Sequence, residues 1–294
     1  MQKKTIQKVL SKKIESFIES IEDANLKSIL KNKVVVTGGC IASMLLKEKV
    51  NDYDVYFRDF ETAVAVAQYY MDIFNKEHAP GVKFDPKCLE EKRIKLIIKS
   101  IGVAGEMIDN EDYFEARGVD DPEMMDEDTD EKPEKDEEQK KFQPKFISSN
   151  AITLTNKLQL VMRFYGEPDK LHENYDFIHC MNYWTSWDKK VVLRPEALEA
   201  LLSKQLQYVG SKYPLCSIIR TRKFLKRGWW INAGQYLKMA LQVSNLDLNN
   251  IDVLEDQLIG VDTAYFEWLI ASLREKGGEK VDTQYITILI DKMF

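Results

Sequence analysis

Asp52 and Asp54 stand two residues apart in NDYDVYFRDF, interleaved with Tyr53, Val55 and Phe57. That alternation predicts a strand with both carboxylates on one face, about 7 Å apart along the chain. Two carboxylates so placed can share a divalent cation. Gly38 and Gly39 end the apolar run VVVTGG and lead into IASMLLKEK, whose spacing is helical. A glycine pair before a helix lets backbone N–H groups approach a phosphate, with the helix dipole adding attraction. Alone, the glycines would signal no more than a tight turn. Only 12 residues lie between Gly39 and Asp52, so both features can converge on one nucleotide: triphosphate at the turn, metal between phosphates and aspartates.

These residues need elements to hold them. The first 32 residues read as one or two helices, and VVVTGG-IASMLLKEK as strand, turn and helix. Helix returns in ETAVAVAQYYMDIFNKEH. RIKLIIKSIG, GEMID, FISSNAITL and KLQLVMRF read as extended, EPDKLHENY as a short helix, and DFIHCMNYW as a last strand. Beyond Arg194 the pattern is helical: PEALEALLSKQLQYV, SIIRTRKFLKRGWW, NAGQYLKMALQV, IDVLEDQLIG and an amphipathic stretch to Phe294. The expected fold class is therefore α+β, with a mixed-sheet domain followed by an all-helical one. The boundaries read as a helical segment 1–32, an α+β domain 33–193 with an acidic insertion at 118–143, and a helical domain 194–294.

Composition narrows the class. With 44% hydrophobic and 31% charged residues, the chain is neither fibrous nor wholly disordered. No window approaches the roughly 18 apolar residues of a membrane span. The lysine-rich, amphipathic start is unlike a signal peptide, so a cytoplasmic protein with no membrane partner is expected. Cys40, Cys88, Cys180 and Cys216 are scattered, as reduced, packed thiols are, rather than spaced for zinc or disulfides.

Charge is unevenly distributed. Asp120–Lys141 carries 12 acids against 4 bases, which leaves the rest of a chain of net charge −6 slightly basic. That stretch has the composition of a solvated, disordered loop. Ala200–Leu246 holds no acid at all, and Arg220, Lys223 and Arg227 recur there at helical spacing. The resulting cationic stripe suits phosphates or an RNA acceptor, although a solvated basic face would read the same way.

TGGCIASMLLKEKVNDYDVYF resembles the signature of the DNA polymerase β-type nucleotidyltransferase superfamily: a glycine pair, then Asp-x-Asp on a strand about a dozen residues later. More closely, it is similar to nucleotidyltransferase-like proteins of bacteriophage genomes, and the similarity runs on through SNAITLTNKLQLVMRF, NYDFIHC and IIRTRKFLKRGW. The resemblance implies transfer of a nucleoside monophosphate from an NTP such as ATP to an acceptor hydroxyl, an RNA or tRNA 3′ end among them. It implies two Mg²⁺ ions, replaceable by Mn²⁺, held by Asp52, Asp54 and a third carboxylate. Asp176 is the candidate third acid, with Glu106 and Asp109 as runners-up. Gly38, Gly39 and Ser43 would bind the triphosphate together with Arg220, Lys223 and Arg227. Cys40 departs from the pattern, since many members place a serine directly after the second glycine. His179 reads as a packed histidine rather than a base, and Tyr183, Trp184 and Trp187 as core or domain-interface residues, with base stacking the alternative. A catalytically inactive fold, serving as a nucleic-acid-binding module or a phage structural protein, is the alternative.

The acidic stretch yields the first testable expectation. Deleting residues 120–141 should shift the melting temperature by no more than about 2 °C in a thermal scan, because a solvated segment buries little. A large drop would show that it packs against the body.

Overall fold

A computed structural model describes residues 1–77, 81–98 and 142–258. The acidic stretch, GEMID with Glu106 and Asp109, and the C-terminal amphipathic stretch lie outside the described residues. The fold class is α+β, and the chain divides into two units: residues 1–171 with 182–192, and residues 172–181 with 193–294.

In the first unit, α1 (Lys3–Glu19) turns Ile6, Leu10, Ile14, Phe17 and Ile18 inward, the i, i+4 recurrence that makes one helical face apolar. Asp23 caps α2 (Ala24–Leu30) by accepting from the backbone N–H groups of Asn25 and Leu26. Next come β1 (Val34–Thr37), α3 (Gly39–Leu46), β2 (Tyr53–Phe57) and α4 (Phe60–Glu77). A small hairpin of β3 (Val82–Phe84) and β4 (Leu96–Ile98) brackets α5 (Pro86–Glu90). β5 (Pro144–Ile147), β6 (Ala151–Leu154) and β7 (Leu158–Tyr165) form a meander, followed by α6 (Pro168–His172), β8 (Tyr183–Thr185) and β9 (Val191–Val192).

Among the described residues the main sheet has seven strands in the order β5-β6-β7-β2-β1-β8-β9. It is mixed, because β2 and β7 run parallel while the other pairs are antiparallel. Val36, Val55, Leu160 and Ile152 lie side by side across four strands, and all are 0% exposed. At about 1.5–3 kcal/mol for each fully buried aliphatic side chain, this row fixes which face of every strand points inward. Lys13 of α1 stands 4.4 Å from the centre of the Tyr53 ring, which places α1 on that same face.

Two expectations change. DFIHCMNYW is not one strand. Residues Ile178–Cys180 form a 3₁₀ turn and pairing begins only at Tyr183, because Phe177 and His179 both enter an aromatic cluster and the backbone must coil to take them there. PEALEALLSKQLQYV is helical only over Pro195–Ser203, here α7. Lys204 takes a left-handed conformation (φ 49°) and ends the helix. The next residues run extended, with Gln205 bridging to Trp230 and Tyr208 to Phe177. β3 and β9 were not visible in the sequence pattern, being only three and two residues long.

The second unit contains α7, α8 (Pro214–Lys226), α9 (Ala233–Val243) and α10 (Ile251–Leu258). His179 lies at its centre, 1% exposed, with ring centroids 4.7 Å from Phe224 and 4.3 Å from Trp229. Neither ring nitrogen has a hydrogen-bond partner. Burial pushes its pKa from 6.5 down to about 4; the nearby Asp176 carboxylate opposes the shift and Arg227 adds to it. His179 is therefore neutral and packed.

This burial has a pH signature. Below about pH 6.5 the unfolded chain binds a proton at His179 that the folded chain refuses until about pH 4. The stabilisation is complete above the unfolded value and is lost as pH falls toward the folded one. Urea unfolding at about pH 7.5 and about pH 5 should show His179 contributing a loss of about 2 kcal/mol, and His179→Phe should remove that part of the pH dependence. An identical acid limb in the variant would contradict the burial of a neutral imidazole.

Candidate functional site

The glycine turn and the aspartates meet because of strand register. In the antiparallel β1-β2 pair Thr37 lies opposite Asp54, and Gly38 follows Thr37 directly. The turn at the end of β1 thus sits beside the start of β2. Residues paired across a sheet share a face, and so do residues two apart on a strand. Asp54 therefore shares the Thr37 face, opposite the buried aliphatic row. Asp52 precedes the first paired residue of β2; it is exposed, whereas Asp54 is half-buried.

Gly38 caps α3 at φ 94°, ψ −157°, a conformation essentially confined to glycine. Gly39 is the first helical residue, and a Cβ built on it would meet nothing within 4 Å. The two glycines thus differ: the first is required by the backbone, the second leaves open space in front of the helix. Free N–H groups at such a helix start, together with the dipole, make an anion site. Cys40 is buried, its thiol directed at the Thr37 carbonyl oxygen 3.7 Å away. Ser43, one turn further on, is only 8% exposed.

The row containing Asp54 continues along the sheet. Gln159 of β7 lies beside Asp54, and Thr153 of β6 beside Gln159. In KLQLVMRF the alternation of Leu158, Leu160 and Met162 with Gln159 already places a polar group on the face opposite the core. The sequence signal existed, but only register puts Gln159 next to Asp54.

Asp176 belongs to the second unit. Its Oδ2 accepts from Arg220 Nη1 at 2.8 Å, and its Oδ1 accepts from the Phe177 backbone N–H at 3.1 Å. It stands ahead of the 3₁₀ turn rather than opening a strand, the placement read from the sequence. Arg220 lies on α8 and is partly exposed, Lys223 on the same helix is exposed, and Arg227 caps its end. Within each unit, the described residues include no group of three or more His, Cys, Asp or Glu able to hold a metal. All four cysteines are free thiols, and no described helix is long and apolar enough to cross a membrane.

Comparison with solved structures finds CCA-adding enzymes. The Thermotoga maritima CCA-adding enzyme complexed with tRNA is 12% identical, with 83% of this chain and 49% of that chain covered at a TM-score of 0.39. The Bacillus stearothermophilus CCA-adding enzyme in complex with CTP is 10% identical, with 90% and 52% covered at a TM-score of 0.39. Among curated proteins, "Gabija anti-defense 2" of Bacillus phage SPbetaL7 is 17% identical over 240 residues. That match takes in 80% of this chain and 44% of the phage protein, so the chain spans less than half of that relative's length. A family model described as "Gabija anti-defense 2 family protein" matches residues 8–204, about two thirds of the sequence, and the chain belongs to that family.

Proposed function

We propose that this chain is a metal-dependent nucleotidyltransferase that moves a nucleoside monophosphate from an NTP to an acceptor hydroxyl, an RNA or tRNA 3′ end among the acceptors. We also propose that it acts against the Gabija defence, as its family's description words it. The observation that carries the chemistry is the pairing of Thr37 with Asp54, which sets a glycine-opened helix start beside a carboxylate pair.

The donor set fits a hard cation. Mg²⁺ keeps several waters and takes one or two carboxylates plus substrate phosphates. Asp52 and Asp54, with Asp176 as the candidate third carboxylate, would hold such an ion, and substrate phosphates would supply further oxygens. Once bound, the metal supplies positive charge to the attacking and leaving oxygens of an in-line displacement. The N–H groups at Gly38 and Gly39 hold the phosphates, and the α3 dipole favours their charge. The acceptor oxygen forms a bond to the α-phosphorus, the bond to the bridging oxygen breaks, and pyrophosphate leaves. The hydroxyl proton passes to solvent or to a carboxylate. In the second unit this reading gives Arg220, Lys223 and Arg227 to phosphate binding, and gives Asp176, held by Arg220, to orienting the acceptor.

One observation favours a second reading, that of an inactive fold that binds nucleotide or nucleic acid: the absence, within each unit's described residues, of a three-acid group. Transfer of label from each NTP to total RNA with Mg²⁺ separates the two. Asp52→Asn together with Asp54→Asn should lower transfer about a thousandfold or more, since the amides carry no charge with which to hold the ion. Folding should survive, because removing clustered negative charge relieves repulsion. Gly39→Ala should leave stability level or slightly raised, since its Cβ meets open space, yet weaken NTP binding by crowding the phosphates. Lys223→Ala and Arg227→Ala should weaken acceptor binding and lower the slope of log affinity against log salt by about 0.7–0.9 each. A double aspartate variant as active as wild type would misplace the site, and a wild type that labels nothing with any NTP would favour the inactive fold.

A further inference from the structure

The face of the sheet opposite the aliphatic row carries a polar row set by register. Thr37, Asp54, Gln159 and Thr153 are laterally paired across β1, β2, β7 and β6. The adjacent row, on the other face, is the fully buried Val36, Val55, Leu160 and Ile152. Polar and apolar rows thus alternate at one level of the sheet, and the polar one starts at the glycine turn.

Its members are not equivalent. Thr37 is fully buried and its hydroxyl donates to the Asn182 carbonyl oxygen at 2.9 Å, so it serves the fold. Gln159 and Thr153 are half-buried, and their side chains make no hydrogen bond among the described residues. Gln159 and Thr153 are thus not committed to internal hydrogen bonds among the described residues and can turn their polar groups to a ligand. Gln159 lies one strand spacing, about 4.8 Å, beyond Asp54 and two beyond Thr37, on the side away from the glycine turn. A phosphate offers only acceptors. An amide and a hydroxyl each donate and accept, which matches a sugar hydroxyl that does both.

We infer that Gln159, with Thr153 behind it, is the ribose-recognising part of the site, and that it selects ribonucleotides over nucleotides lacking sugar hydroxyls. The inference rests on the nucleotide reading above and adds a substrate class to it. With phosphates at the Gly38–Gly39 turn and metal at Asp52 and Asp54, the sugar extends along the row toward β7. The Gln159 amide then meets a sugar hydroxyl, and a nucleotide without that hydroxyl leaves the amide unsatisfied.

Binding of the four NTPs and of their 2′,3′-dideoxy forms, measured calorimetrically with Mg²⁺, tests this on wild type and on Gln159→Ala. Wild type should prefer the ribonucleotide by about tenfold, the worth of one hydrogen bond. Gln159→Ala should bind both forms alike, at the dideoxy level. Its melting temperature should equal that of wild type, since no internal hydrogen bond is lost. Thr153→Val should reduce the preference in part. A variant that keeps the wild-type ratio overturns the role of Gln159 and leaves the transferase reading intact. A wild type that binds no nucleotide overturns the transferase reading itself, and this inference with it.

Discussion

Strand β2 carries the fully buried Val55 and Phe57 on one face and the half-buried Asp54 on the other, and its pairing with β1 must satisfy both demands at once. A slip of one residue would turn Val55 out of the core and Asp54 into it. Moving one carboxylate into an apolar layer costs several kcal/mol even after relaxation. The aliphatic row of Val36, Val55, Leu160 and Ile152 therefore does more than add burial. It excludes the one-residue slips that would turn Asp54 inward, and in the register observed Asp54 stands level with Thr37 and, through it, with the glycine turn. The core thus sets where Asp54 stands relative to the turn.

The second unit solves a different problem. Ala200–Leu246 carries no acidic residue, so its basic groups must be spread over solvent or paired with acids from elsewhere in the chain. Asp176 supplies one such acid to Arg220. The pair is only partly screened from water, so its worth is modest. Most of the cohesion around it comes from Phe177, His179, Phe224 and Trp229, whose rings meet edge to face or tilted at about 0.5–1.5 kcal/mol per contact beyond burial. A neutral imidazole behaves as one more ring in this cluster, which explains why a histidine can lie there without any hydrogen bond.

How far the sequence could be read follows from the range of each signal. Period-2 alternation around Asp52 and Asp54, the glycine pair and the apolar periodicity of α1 are local, and each gave the right element. DFIHCMNYW failed because Phe177 and His179 are drawn to Phe224 and Trp229, residues nearly fifty positions away, and that pull overrides alternation. The end of α7 at Lys204 has no glycine to announce it, and the extended pairing of Gln205 with Trp230 is again non-local. Gln159 was legible as a polar residue in an apolar strand, but not as the neighbour of Asp54. Parallel pairing of β2 with β7 joins segments a hundred residues apart, and nothing in either segment states the register.

Under the proposed function Asp52 and Asp54 are the carboxylates that would meet the ion. Two carboxylates without a third hold a divalent ion weakly, because fewer negative ligands repay its dehydration. A nucleotide changes this: its phosphates bring both charge and oxygens. Metal and nucleotide then bind with positive coupling, each raising the other's affinity by the same factor. Gln159 and Thr153 suit such an arrangement, since a neutral row does not repel an arriving triphosphate as a third carboxylate would. The price is a resting site with little metal of its own. Under the proposed function such a site would take its ion together with substrate, at the position beside the turn that the register gives Asp54.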